Sequence, residues 1–348
     1  MGTFQALSRA KSLARRCAAE LYAKSPGFLR RLRGKVSILM YHRVVTAAEL
    51  SSQFIQPGMY VTGETFERQV RFLLKHFDVL SMPELLAMWR EKTWKADHRY
   101  CVITFDDGWR DNYVHAFPVL QRYDIPATIF LPTGVIGTTK WFWPEELGWI
   151  NRRFASLPME QKVPILASLR GSDSWLNDIG CNLEAGQLDE LIERCKVISQ
   201  DRIGELVSRL ADAMEVPLPG ERLVMNWDEV RDMAAAKIAF GSHSVNHKIL
   251  TTVSAAELQE EVFGSLDTLR SHGLNGEFVF CYPNGNYSPA VIRSVESAGY
   301  CAATSTEPGW EGREPAHLFR LKRIAVHDDL TCSDALFAFH LAGYNSRL

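Results

Sequence analysis

Short apolar runs alternating with helix-length amphipathic segments set the strongest limit on what this 348-residue chain can fold into. Residues 36–41, 77–80, 100–105, 127–131, 238–241, 278–282, 301–305 and 319–326 have the length and apolar content of buried strands. Between or after them, residues 64–76, 83–90, 113–123, 227–236, 255–271, 289–298 and 333–342 repeat apolar side chains at helical spacing. Parallel strands need a long crossover connection, usually a helix, so this order predicts an α/β fold built on a parallel sheet. The alternation breaks once, over residues 141–223. Segments 145–154, 159–169, 187–198 and 202–214 there read as helices divided by Gly, Ser, Asp and Pro, which predicts a packed helical insertion.

Charge separates the first 35 residues from the rest. A net formal charge of −2 gives no general signal for nucleic acid, yet residues 1–35 hold nine Lys/Arg against the single acid Glu20. Residues 4–24 are helical in period, with Phe4, Leu7, Ala10, Leu13, Ala14, Cys17, Ala18 and Leu21 on one side and Arg9, Arg16 and Glu20 opposite. A basic amphipathic helix of this kind suits an anionic membrane surface. A helix docked on the domain and an Arg-rich transit segment are the alternatives. The expected organisation is a basic arm, 1–35, and one domain, 36–348, carrying the insertion at about 141–223. Seven cysteines, odd in number and without C-x-x-C spacing, point to reduced thiols and away from a disulfide framework or a structural zinc site. No run approaches the roughly 18 apolar residues of a membrane span, and the N-terminus lacks the apolar core of a secretory signal. These features predict a cytoplasmic chain in peripheral contact with the inner membrane face.

The candidate chemistry sits at strand ends. The run 100–103 continues through Thr104-Phe105 into Asp106-Asp107-Gly108, and in α/β sheets ligands gather at the carboxyl ends of strands. Residues 238–240 lead in the same way to Gly241-Ser242-His243-Ser244-Val245-Asn246-His247, and 36–41 ends at His42. His243 and His247 share a face if the backbone turns helical there. With one carboxylate they make a usual ligand set for a hydrolytic metal site that keeps positions open.

These segments resemble the leading motifs of the polysaccharide deacetylase family, the NodB-homology domain of carbohydrate esterase family 4. Leu39-Met40-Tyr41-His42-Arg43-Val44, Asn226-Trp227 ahead of a helix, and Phe280-Cys281-Tyr282-Pro283-Asn284-Gly285-Asn286-Tyr287 resemble its other landmarks, in the family's order. The resemblance implies a distorted (β/α)7-type barrel with the helical insertion between barrel strands. It implies that Asp107, His243 and His247 hold a divalent metal, zinc first among the candidates, and that Asp106 is the general base. Tyr282, Pro283, Asn284 and Gly285 would shape the turn whose N–H near Asn284 helps hold an oxyanion, with Trp227 also at the substrate. The family's better-known members orient the base with an arginine two positions before this proline. Here that position is Cys281, and Arg320 and Arg323 are the candidate replacements. The general acid for the leaving amine is His42, ranked first, or His327.

The implied reaction removes N-acetyl groups from amino sugars of a polysaccharide or glycan precursor, in exopolysaccharide assembly. Deacylation or deformylation of a lipid-linked amino sugar is the nearest alternative. A catalytically silent carbohydrate-binding domain on the same fold is the alternative of another class. Trp141, Phe142, Trp143 and Trp149 are expected to be core of the insertion, with a sugar-stacking lid as the less favoured reading.

Overall fold

The computed structural model describes residues 2–53, 55–169, 188–215 and 220–344. Gln187, the expected first residue of one insertion helix, and Cys181 lie outside the described residues. The strands among them are β1 (Lys35–Tyr41), β2 (Arg43–Val45), β3 (Tyr60–Thr62), β4 (Asp78–Leu80), β5 (Arg99–Phe105), β6 (Ala127–Leu131), β7 (Ile238–Ser242), β8 (Val279–Cys281), β9 (Ala302–Pro308) and β10 (Leu321–Ala325).

Seven of these strands close into a parallel barrel in the order β1-β10-β9-β8-β7-β6-β5, with β5 pairing back onto β1 from Lys35↔Arg99 to Tyr41↔Phe105. The other edge of β5 is shared. β4 covers its first half, at Tyr100 to Val102, and β6 takes over at Thr104 and Phe105. β4 therefore stands outside the ring, which distorts the barrel at that point. β2 and β3 form a separate parallel pair beyond the tip of β1. The sequence reading lacks this pair because three-residue strands show no usable period.

The barrel strands are buried along nearly their whole length, as expected for a sheet packed on both faces. Successive residues divide between two clusters. Val36, Ile38, Tyr100, Val102, Phe130 and Leu321 fall in one, while Leu39, Tyr41, Cys101, Ile103, Phe105 and Ile129 pack in another with the surrounding helices. Side chains fix where several helices start: Ser81, Asn226 and Ser254 each form a capping box with the glutamate three residues on. Losing one such cap costs about 1 kcal/mol.

Between β6 and β7 lie the helices Trp143–Ser156, Met159–Leu169, Leu188–Cys195 and Gln200–Ala213. They enclose a core of their own, with Leu147, Ile150, Phe154, Leu191, Leu206 and Leu210 buried in it. Phe142 departs from the expectation. It packs in the barrel's core, edge-on to Trp109 at 5.1 Å and to His247 at 5.2 Å.

The N-terminal helix Gly2–Ala23 docks through Ala19 and Tyr22 onto Leu336 and Phe339 of the closing helix Asp334–Leu341. Leu13 and Leu21, from the side read as apolar, are instead 64% and 73% exposed. No helix among the described residues is long and apolar enough to cross a membrane.

Candidate active site

Strand ends of the barrel deliver the chemistry to a cavity of about 240 Å³. His42 follows β1, Asp106 and Asp107 follow β5, His243 follows β7, and Tyr282 follows β8; all of them line it. The turn after β5 is tight: Asp107 (φ 71°) and Gly108 (φ 64°) are both left-handed. The positive φ calls for glycine at Gly108, and a Cβ there would also push on the end of the Ile136 side chain, 2.9 Å away.

Asp107 Oδ1 lies 3.4 Å from His243 Nε2 and 3.2 Å from His247 Nε2, and one ligand atom from each residue falls within 4.8 Å of the others. The side chains of Asp107 and His243 are each oriented by a neighbour. The Trp109 indole donates to Asp107 Oδ2 at 3.0 Å, which leaves Oδ1 for the histidines. His243 Nδ1 lies 2.7 Å from the Cys281 carbonyl, so it carries a proton and the ring turns Nε2 towards the cluster. The backbone of 243–247 is not helical, which corrects the expected reason for the pairing. Ser244 (φ 65°) and His247 (φ 58°) are left-handed, and the loop brings the two rings to 4.7 Å. Such residues cost about 1–3 kcal/mol each unless their surroundings hold them. Here the Glu261 carboxylate accepts from the N–H groups of Val245 and Asn246 and from the Asn246 amide, at 2.8–2.9 Å. Ser244 Oγ accepts from the His247 N–H at 3.0 Å.

Burial opposes the charge on Asp107, but the hydrogen bonds to His243 and His247 overcome it and hold the carboxyl well below its usual range. Burial likewise opposes a proton on His243, and Cys281 and Asp107 overcome it and raise the imidazole well above its ordinary value. Two imidazoles and one carboxylate converging on a point fit a divalent cation.

Asp106 is 2% exposed and stands outside the Asp107–His243–His247 set. Arg323, fully buried on β10, forks onto both its oxygens, Nη1 to Oδ1 and Nη2 to Oδ2, each at 2.7 Å. Against the pull of burial, this pair keeps the Asp106 carboxyl below its ordinary value. Asp106, His243 and Cys281 also gather closely enough to suggest a second ligand set. The Arg323 guanidinium, 3.2 Å from Cys281 Sγ, already supplies the positive charge there. Of the two candidate arginines, Arg323 takes the orienting place. Arg320 bonds Tyr287 and Glu307 at the surface.

Asn284 (φ 56°) and Gly285 (φ 75°) form the turn beyond Tyr282, and both line the cavity. The N–H groups of Tyr282, Gly285 and Asn286 donate to the carbonyls of Thr304, Tyr282 and Pro283, bonds that do not involve the Asn284 N–H. Tyr282 spends its hydroxyl on the Phe319 carbonyl, and Pro283 is buried in the turn without lining the cavity. His42 Nε2 stands 3.9 Å from Asp106 Oδ2. His327 instead faces Asp329 and caps the short helix after β10, outside the cavity lining. Trp227 opens its helix and stacks on His272 at 3.7 Å, also outside that lining.

The family model for polysaccharide deacetylases matches residues 94–153 and 211–303, both segments carrying ligands of the cluster. Over those two segments the chain is identified with the polysaccharide deacetylase family. YxkH of Bacillus subtilis, which bears the polysaccharide deacetylase name, is 20% identical over 299 residues, 86% of this chain and 74% of that protein. A poly-beta-1,6-N-acetyl-D-glucosamine N-deacetylase of Staphylococcus aureus is 34% identical over 122 residues, 32% of this chain and 41% of that enzyme. That match spans less than half of the Staphylococcus enzyme. In fold, the Streptococcus pyogenes deacetylase PplD in complex with acetate gives a TM-score of 0.57 at 18% identity, covering 88% of this chain and 98% of PplD.

Three supports of this deacetylase-family site escaped the sequence reading. Trp109 sits two residues from its partner Asp107, and Glu261 lies on the next helix, 15 or 16 residues along from the loop it anchors. Gln200, from the insertion, donates to the His247 carbonyl at 3.1 Å. Only Trp109 carries a local signal, an aromatic N–H just after a tight acidic turn.

Proposed function

We propose that this chain is a metal-dependent hydrolase that removes N-acetyl groups from amino sugars of a polysaccharide or glycan precursor. The observation that carries the reading is the division of labour between adjacent carboxylates. Asp107 joins two histidines in a ligand set, while Asp106, ionised and clamped by Arg323, is kept beside it as a proton acceptor. A binding module has no use for that second carboxylate. The N-deacetylase name of the Staphylococcus relative supports the acyl group and the sugar class.

Asp107, His243 and His247 would hold the cation, and the nitrogen-rich donor set favours zinc. When bound, such a cation lowers the pKa of water from about 15.7 towards 7 and polarises a carbonyl oxygen. Asp106 takes the proton of the attacking water, and the Arg323 fork prevents it from swinging into the ligand set. The Asn284 N–H donates to the oxygen that gains charge as the amide carbon becomes tetrahedral. Burial holds His42 below its ordinary value, so it begins neutral, able to receive the proton from Asp106. His42 then delivers it to the leaving nitrogen as the C–N bond breaks, releasing acetate and a free amine. The arm 1–35, with its basic residues and the exposed Leu13 and Leu21, would rest on the inner membrane surface beside glycan assembly. Residues 36–348 would then form the catalytic unit.

The deciding experiment incubates zinc-loaded wild type and Asp106→Asn with free N-acetylated oligosaccharides and with lipid-linked amino sugars, measuring acetate and formate. Acetate from the wild type alone supports the proposal. Formate, or turnover of lipid-linked sugars only, would redirect it to the lipid-linked reading. Bound zinc with no acyl group released would leave a silent carbohydrate-binding domain.

A further inference from the structure

Beside the cavity at the strand ends lies a cleft of about 920 Å³ between the barrel and the insertion helix Gln200–Ala213. Trp143, Gln200 and His247 line both spaces, so the cleft runs directly up to a histidine of the ligand cluster. The smaller cavity, about 240 Å³, lies below the usual range for a ligand pocket and suits about one sugar unit. The cleft adds several times that space. Its helical wall falls within residues 154–210, which the family model leaves unmatched, apart from the helix's last turn.

Gly204 shows that this space is built in. It sits inside the helix, where glycine costs about 1 kcal/mol relative to alanine. Its backbone does not require glycine, and a Cβ there would meet nothing within 4 Å. What its missing side chain does is widen the cleft, and Ser208 and Ala211, further along the lining, are small as well. Trp141 and Trp143 also line the cleft, with the Trp141 indole fixed by donating to the Glu221 carbonyl at 2.9 Å. Aromatic faces for C–H surfaces, beside the carboxylates of Glu205 and Asp212 for hydroxyl groups, are the mixture that a saccharide matches.

We propose that this cleft binds the sugars flanking the one being deacetylated, so that the chain selects a saccharide of several units over a single amino sugar. The proposal rests on the deacetylase reading and adds to it a specificity device supplied by the insertion. Gln200, which ties the helix to the His247 backbone, keeps cleft and cluster in register.

The test compares the zinc-loaded full chain with Gly204→Phe, which projects a ring from the cleft's helical wall, and Gly204→Ala, which adds one methyl group. Substrates are β-1,4- and β-1,6-linked N-acetylglucosamine oligosaccharides of one to six units, with acetate release as the readout. Binding energy from remote sugars raises turnover of the longer substrates, so wild type and Gly204→Ala should gain on the order of tenfold in kcat/KM from one unit to four. Gly204→Phe should lose that gain while keeping the single-unit rate, and Ser208→Tyr should repeat the result if Gly204→Phe folds poorly. A gain that survives both bulky variants, an equal loss on short and long substrates, or no gain in wild type would overturn the proposal. Absence of acetate from every substrate would sink the deacetylase reading instead. The cleft is then judged by tryptophan fluorescence on Asp106→Asn with the four-unit saccharides. Binding that Gly204→Phe removes upholds it, and no binding overturns it.

Discussion

The barrel's strand ends and the insertion helix both face the same space, but they hold their side chains differently. At the strand ends each reacting group has its own buried partner: Arg323 for Asp106, Trp109 for Asp107, and the Cys281 carbonyl for His243. Along Gln200–Ala213 the wall of the cleft is placed by its helix and by the Gln200 bond to the His247 carbonyl, while Ile203, Leu206 and Leu210 bury the other side in a separate core. The difference follows from the tasks. Proton transfer needs atoms placed within fractions of an ångström, whereas a chain of sugars needs a wall of suitable shape and polarity.

The sharpest way to break this contrast is to remove the proposed base. Asp106→Asn should lower acetate release by about 10²–10⁴-fold, with zinc content by elemental analysis unchanged. Chelation should abolish turnover, and added zinc should restore it, because the barrel core does not depend on the ion to fold. Circular dichroism would check that point. His42→Ala should lower kcat by about 10²-fold or more while His327→Ala leaves it unchanged, and the reverse order would reassign the proton donor. Arg323→Ala leaves a buried carboxylate unpaired and should destabilise the chain by about 3–5 kcal/mol. Arg323→Lys should keep more stability than activity, since one ammonium cannot reproduce the fork. On the insertion side the effects should be smaller. Gln200→Ala removes one hydrogen bond, worth about 0.5–1.5 kcal/mol. It should raise KM for long substrates more than it lowers kcat for short ones in steady-state assays.

Much of the site was legible because its proposed ligands follow apolar runs. Asp106, Asp107 and His243 each follow directly on a strand whose hydrophobicity announces it, and His247 lies within the next turn. Arg323 was visible only as one of two arginines. Strand parity carries the signal that separates them: Arg323 shares the barrel-facing side of β10 with Leu321, and an arginine there demands a carboxylate, whereas Arg320 precedes the strand at the surface. Which side of the N-terminal helix packs on the domain was not legible for a related reason. Period alone shows that a helix has an apolar side, but not which side a neighbour will cover.

The sequence by itself determined the strand–helix alternation, the interruption by helices, and the residues that arrive at strand ends, since these follow from local periodicity and chain order. Only the tertiary structure decided which arginine clamps Asp106, which histidine stands beside it, and that the insertion reaches back to His247. Those choices depend on the closure of β5 onto β1 and on the shape of the space it leaves. No pattern within a single segment encodes such distances between segments far apart in the chain.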